Sequence, residues 1–247
     1  MESVTKQIAD WRLATGRFGQ RKVFDLASVS VRELNHYLHR ELPENSLPTV
    51  VVNNPDGAHS IAAGMNALVD IEINGHVGYY VGGMNKHARI VVNGNAGPGA
   101  AENMMSGLVR IRGFASTSAG ASARGGVLVI EGDASLRCGI SLKGADIVIG
   151  GSVGSFSAFM AQAGRMVICG DAGDALGDSL YEAVIYVRGE VKSLGADAQF
   201  EPMTDTDRAV VAELLAVAGL KHDPAGFKRV ASAKKLYHWN AEAVQEY

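Results

Sequence analysis

Between residues 71 and 195 the aliphatic and small positions of this chain recur every 19 residues. A glycine follows each short aliphatic run, at Gly75, Gly94, Gly113, Gly132, Gly151, Gly170 and Gly189. Positions +n and −n count from the glycine of each coil. At −2 stand Ile73, Val92, Ile111, Ile130, Ile149, Ile168 and Val187, and at −4 Ile71, Ile90, Val109, Leu128, Ile147, Met166 and Ile185. At +2 stand Val77, Ala96, Ala115, Ala134, Val153, Ala172 and Val191. Position +7 is always glycine or alanine, as at Gly82, Ala101, Gly120 and Gly139. So is position +13 after each marker glycine from Gly75 to Gly170, as at Ala88, Gly107 and Gly126.

Alternation of −4, −2 and +2 predicts strands with one face inward, and the β-branched residues at −2 suit a buried pleated surface. The small columns are expected where a larger side chain would collide with the same position in adjacent coils. Some glycines are expected to supply positive φ at the corners. Stacked in parallel, about seven 19-residue coils predict an all-β fold, a right-handed, single-stranded β-helix whose hand is taken by analogy. A hexapeptide β-helix would need coils of about 18 residues, and a leucine-rich repeat would need a leucine and asparagine framework that is absent.

A stack of coils leaves an open edge at each end, and the flanks are expected to cover both with short helices. Ser30 and Glu33 form a capping box ahead of a helix running to about Arg40, with Leu34 and Leu38 on one face. Leu42 to Pro48 reads as a connector, and Thr49 to Val52 as a strand of an irregular first coil. After the coils, Thr204 to Asp207 offer N-caps for DRAVVAELLAVA, which Gly219 stops. The chain thus divides into a helical cap and connector over 1–48, a β-helix over 49–200 with regular coils at 71–195, and a C-terminal helix and tail over 201–247. Within the tail, FKRVASAKKLYHWN is expected to be helix and tail. It places Lys228, Arg229, Lys234 and Lys235 beside Tyr237 and Trp239, a candidate partner interface.

Composition sharpens this picture. Of the 30 glycines among 247 residues, 24 fall within the repeat at 71–195, and aromatics at 6% require a core of small aliphatic side chains. A net charge of −3, from 23 basic and 26 acidic residues, gives no electrostatic footprint for nucleic acid or an anionic membrane. No signal-peptide pattern and no run of 18 apolar residues is present, so a cytoplasmic location is expected. Cys138 and Cys169 read as buried free thiols.

Motifs that carry chemistry are missing. His36 and His39 lie three apart without a ligand pattern, and no HExxH, GxSxG or Walker A motif occurs. Asp171, Asp174, Asp178 and Glu182 form the densest acidic cluster, but their spacing fits neither an EF-hand nor a calcium β-roll. They read as solvated turns or an interface. At +11, Lys86, Arg124 and Lys143, interrupted by Met105 and Gln162, make a weak basic ridge that reads as a solvated edge or partner contact. Catalytic, cofactor-binding and metal-binding residues are all expected to be absent, the repeat glycines being structural.

The spacing of Gly75, Gly78 and Gly82, and again of Gly170, Gly173 and Gly177, resembles the C-terminal β-helix (GXGXG) domain of the glutamate synthase large subunit. The same fold occurs in the β-helical subunit of formylmethanofuran dehydrogenase. ENMMSG (102–107), RCGISLKGADIVIGG (137–151), SAFMAQAG (157–164), CGDAGDALGDSLYEA (169–183) and VRGEVKSLGAD (187–197) are most similar to the stand-alone domain-3-like subunits of N-methylglutamate synthase. VRELN (31–35) and ASAKKLYHW (231–239) extend the likeness from about Phe24 to Trp239. It implies a non-catalytic subunit joining a class II glutamine amidotransferase-like subunit to a glutamate-synthase-like subunit carrying FMN and an iron–sulfur cluster. The assembly would make N-methylglutamate from methylamine and glutamate, releasing ammonia. The alternative is a scaffold of a formylmethanofuran dehydrogenase or related formyl-transferring complex.

Overall fold

The computed structural model describes residues 18–43 and 47–234. Eleven strands form one sheet: β1 (Phe18–Asp25), β2 (Leu47–Asn53), β3 (Asp70–Asn74), β4 (Arg89–Val92), β5 (Leu108–Ile111), β6 (Val127–Ile130), β7 (Lys143–Ile149), β8 (Ala163–Ile168), β9 (Val184–Val187), β10 (Ala198–Glu201) and β11 (Lys228–Ser232). Strands β1 to β9 follow one another in parallel, then β11 and β10 complete the sheet antiparallel. From β3 onward the −4 residues pair in series, Ile71 with Ile90, then Val109, Leu128, Ile147, Met166 and Ile185. Each step is 19 residues, so the chain is a β-solenoid in the register that the hydrophobic pattern predicts. The first coil is irregular, Val50 pairing with Ile71. Strand β1, paired with β2 inside residues 18–25, has no counterpart in the 19-residue pattern.

Each coil has two further sides. At +2, single bridges run from Val77 through Ala96, Ala115, Ala134, Val153 and Ala172 to Val191. The third side has an unusual backbone. Residues at +5, +7 and +9 take positive φ in coil after coil, from Tyr80 (61°), Gly82 (60°) and Met84 (56°) to Ala175 (55°), Gly177 (67°) and Ser179 (57°). Their N–H groups point alternately to the following and the preceding coil: Tyr80 N donates to Pro98 O (3.0 Å), Gly82 N to Ile61 O (3.1 Å) and Met84 N to Glu102 O (2.7 Å). These coil-to-coil bonds hold non-glycine residues in the left-handed region, whose cost is about 1–2 kcal/mol per residue. Only the +7 column shows it in composition, because its side chain points inward.

The glycines divide by cause. In the marker column only Gly75 has positive φ, at 141°. Elsewhere in that column close approach is the reason, a Cβ on Gly132 lying 2.9 Å from Gly113 O and one on Gly170 2.8 Å from Gly151 O. At +13 both causes act: Gly107, Gly126 and Gly164 have positive φ (83°, 80° and 102°), and a Cβ on Gly126 would lie 2.6 Å from Gly107 O. At +7 the collision is different from the one expected: a Cβ on Gly120 would lie 2.6 Å from Ile147 Cδ1, across the interior rather than in the adjacent coil's column.

The first end is capped as the capping box predicts. Helix α1 (Val31–Arg40) starts at Ser30, whose hydroxyl accepts from Glu33 N, and buries Leu34 and Leu38. Asn35 then supplies what a preceding coil would. Its Oδ1 accepts from Ala62 N (3.0 Å) and its Nδ2 donates to Ser60 O (2.9 Å). Ala62 is the positional counterpart of Gly82, which reaches a real coil.

Helix α2 (Asp205–Ala218) has the expected boundaries, with a Thr204–Asp207 capping box and Gly219 at φ 71°. It lies along the outer face of the sheet, burying Val211, Leu214, Leu215 and Ala218 against Val127, Val129, Val148 and Val167. The last edge is taken instead by β11. Residues 228–232, expected to be helical, are a strand because β9 leaves an unpaired edge there and Val230 completes the core beside Ile185. An open ladder of backbone groups outweighs a weak helix preference.

Candidate functional site

Polar side chains of the described residues hold coil to coil rather than converge. At +1, each acceptor takes the N–H of the next coil's +1 residue: His76 Nδ1 from Asn95 (3.0 Å), Asn95 Oδ1 from Phe114 (3.0 Å), Asp133 Oδ1 from Ser152 (2.8 Å), Ser152 Oγ from Asp171 (2.9 Å) and Asp171 Oδ1 from Glu190 (2.8 Å). The sequence signal for this ladder is a column of Asx, Ser and His. Phe114 interrupts it and stands half-exposed. Asp171 is therefore a structural acceptor, Asp174 pairs with Lys192 (2.7 Å), and Asp178 accepts from Ser179 Oγ (2.9 Å). The acidic cluster is thus spread over separate contacts. Among the described residues no group of three or more His, Cys, Asp or Glu is placed to hold a metal ion.

Under α2 the outer face carries charge. Arg165 makes two hydrogen bonds of 2.6 Å to Asp146, both side chains buried. Burial pushes the Asp146 carboxyl above its usual range, and the Arg165 bonds oppose that. Arg110 donates to the last carbonyls of α2, Val217 O (3.0 Å) and Ala218 O (3.1 Å), matching a cation to the negative helix end. At the other end Tyr186 donates to Asp207 Oδ1 (2.8 Å). Desolvation would raise Asp207, but its bonds to Thr204 and Tyr186 outweigh it and hold the carboxyl low.

Three of the candidate partner residues serve the fold. Lys228 Nζ donates to Gly189 O (3.1 Å), Arg229 pairs with Glu201 and with Asp207 (3.3 Å), and Lys234 pairs with Asp197 (2.6 Å). All three cations are used within the chain, tying β11 to the last coil. Lys235, Tyr237 and Trp239 lie outside the described residues. Both cysteines are free and buried, and burial pushes Cys138 up to about 12 and Cys169 to about 11.

Exposed apolar side chains gather on the third side. Tyr79, Tyr80, Met84 and Met105 stand on the early coils, and Leu136, Phe156 and Met160 on the later ones, each 44–52% exposed. His59 stacks on Tyr79, ring centroids 4.4 Å apart. A shallow cleft between β1 and α1 is lined by Lys22, Phe24, Arg32, His36 and Tyr37, with Lys22 Nζ 5.6 Å from the Tyr37 ring centre.

No family model matches the chain. Protein GlxC of Rhizobium meliloti (strain 1021) is 51% identical over 226 residues, which are 91% of this chain and 99% of that protein. The chain belongs to the GlxC family. Because the match takes in nearly all of both chains, the solenoid together with the described helices α1 and α2 is shared by this GlxC-family chain and its relative. No helix among the described residues is long and apolar enough to cross a membrane.

Proposed function

We propose that this GlxC-family chain is the non-catalytic solenoid subunit of a glutamate-synthase-like heteromeric enzyme. In this reading it joins a class II amidotransferase-like subunit to a subunit carrying FMN and an iron–sulfur cluster, and the assembly makes N-methylglutamate from methylamine and glutamate. The observation that carries the reading is the use of polar groups. The +1 ladder, the Asp146–Arg165 pair and the β11 cations are committed to holding the fold, while the third side offers broad, apolar, backbone-rigid surface. Flat repetitive faces suit protein contact.

The test is purification of the native complex through a tag on this chain. The expected result is co-purification of amidotransferase-like and flavin-bearing chains in fixed ratio, with N-methylglutamate formed by the complex and not by this chain alone. Stoichiometric flavin on the isolated chain, or N-methylglutamate made by it, overturns the scaffold reading. Amidohydrolase-like partners would replace it with the formyl-transferring alternative.

A further inference from the structure

The +11 residues form the outer edge of the third side. Each +11 N–H is bound to the +10 carbonyl of the preceding coil: Lys86 to Met65 (2.8 Å), Met105 to Asn85 (2.8 Å), Arg124 to Met104 (2.7 Å), Lys143 to Ala123 (2.8 Å), Gln162 to Leu142 (2.7 Å) and Tyr181 to Ala161 (2.9 Å). The row is therefore rigid in its backbone. At +10 the side chains point inward, as Asn85, Met104 and Leu142 do, so the +9 and +11 side chains both point out. Lys86 and Arg124 are exposed and Lys143 is half-buried. Among the described residues no carboxylate pairs with any of the three; other cations without such a pair, as Arg112, Arg137 and Arg188, stand in different columns, while Arg89, Arg110, Arg165, Lys192, Arg208, Lys228, Arg229 and Lys234 are paired. Met105 sits between Lys86 and Arg124 in the row, 48% exposed, flanked at +9 by Met84 at 52%.

We infer that this ridge is the seat of an acidic amphipathic helix from a partner subunit, lying along the solenoid axis; the inference rests on the scaffold reading above. Pitch and charge both support it. Coils repeat every ~4.8 Å, so Lys86 to Arg124 spans about 10 Å and Arg124 to Lys143 about 5 Å. A helix rises ~1.5 Å per residue, so residues seven and eleven along its face meet those two spacings. The fitting face carries carboxylates at i, i+7 and i+11 against Lys86, Arg124 and Lys143, with an apolar residue at i+4 against Met105. Methionines adapt their shape to such a contact. Three unpaired cations in line repel one another in the free chain, and an acidic helix removes that repulsion.

The experiment uses the native complex with the full chain. A zero-length carbodiimide couples amines to carboxylates in contact, and mass spectrometry of the digest locates the links. The expected result is that Lys86 and Lys143 join Asp or Glu residues spaced about eleven apart on one partner helix, and that both lysines resist acetylation in the complex. The triple variant K86E/R124E/K143E, on exposed or half-exposed positions, should keep its melting temperature and weaken assembly at least tenfold. A complex that assembles while Lys86 and Lys143 remain fully open to acetylation overturns the inference and leaves the scaffold reading standing. Links from these lysines to Asp174, Asp178 or Glu182 of a second copy would replace the partner helix by self-association. A wild-type chain that purifies alone overturns both.

Discussion

At the level of single residues, the solenoid is a set of columns, and each column has its own physical cause. Gly139 stands at +7 with φ 68°, and a Cβ there would run into the Met166 side chain and sit 3.3 Å from Ile147 Cδ1. Gly139→Val meets both objections, overpacking of a close-packed interior and a β-branched residue in the left-handed region. The expected loss is about 3 kcal/mol or more, read as a lower midpoint in urea; a wild-type midpoint would refute the register. Cys138 lies at +6 in a row that also holds Ala100 and Ala119. Its thiol, ordinarily near 9, is raised to about 12 by burial. A raised thiol is neutral in the fold at pH values where the unfolded chain ionises, so its contribution is complete below pH 9 and drains away as pH rises toward 12. Near pH 10 the loss is roughly 1 kcal/mol. Cys138→Ala, which the row already accommodates, should flatten the fall of stability between about pH 8 and 10.5, and an unchanged slope would show that the thiol ionises as freely inside as out.

At the level of elements, the two helices are both legible in the sequence, but their places are not. The capping boxes at Ser30 and Thr204 and the stop at Gly219 set the boundaries locally. Where a helix docks depends on what is left open. Asn35 of α1 meets the backbone of Ser60 and Ala62 where, among the described residues, no coil precedes them, so its amide is a stand-in for a strand. Asn35→Ala leaves Ala62 N without its acceptor, and the expected cost is about 1–3 kcal/mol. Hydrogen exchange should show faster opening of the Ala62 amide before any change in coils beyond Ala101; uniform acceleration along the chain would contradict this local role. At the other end, α2 lies on the sheet's outer face rather than over its last edge. The Val127, Val129, Val148 and Val167 side chains give the sheet an apolar outer surface for α2 to cover, and β11 already satisfies the β9 edge. The acidic residues of GDAGDALGDSLYEA look like a cluster in one dimension. Folding separates them, because +1, +4, +8 and +12 lie at different points around one coil.

At the level of the whole molecule, the amino-acid pattern alone determined the period, the inward face of every coil and the number of coils. These follow from the repeat itself: an aliphatic residue at −2 or −4 has one way to be buried in a pleated strand, and marker glycines such as Gly132 and Gly170 face the backbone of the marker glycine 19 residues before them, so successive coils pose the same requirement. Tertiary structure alone decided the left-handed residues at +5 and +9, which range from Gly99 and Ala175 to Tyr80 and Arg137 because coil-to-coil hydrogen bonds, not side-chain size, impose the conformation. It also decided that Lys228, Arg229 and Lys234, candidate partner contacts by composition, are spent on Glu190, Glu201 and Asp197, while Lys86, Arg124 and Lys143 are left in line and unpaired. Which charges meet is a long-range fact, set by chain segments that come together only when the stack is complete.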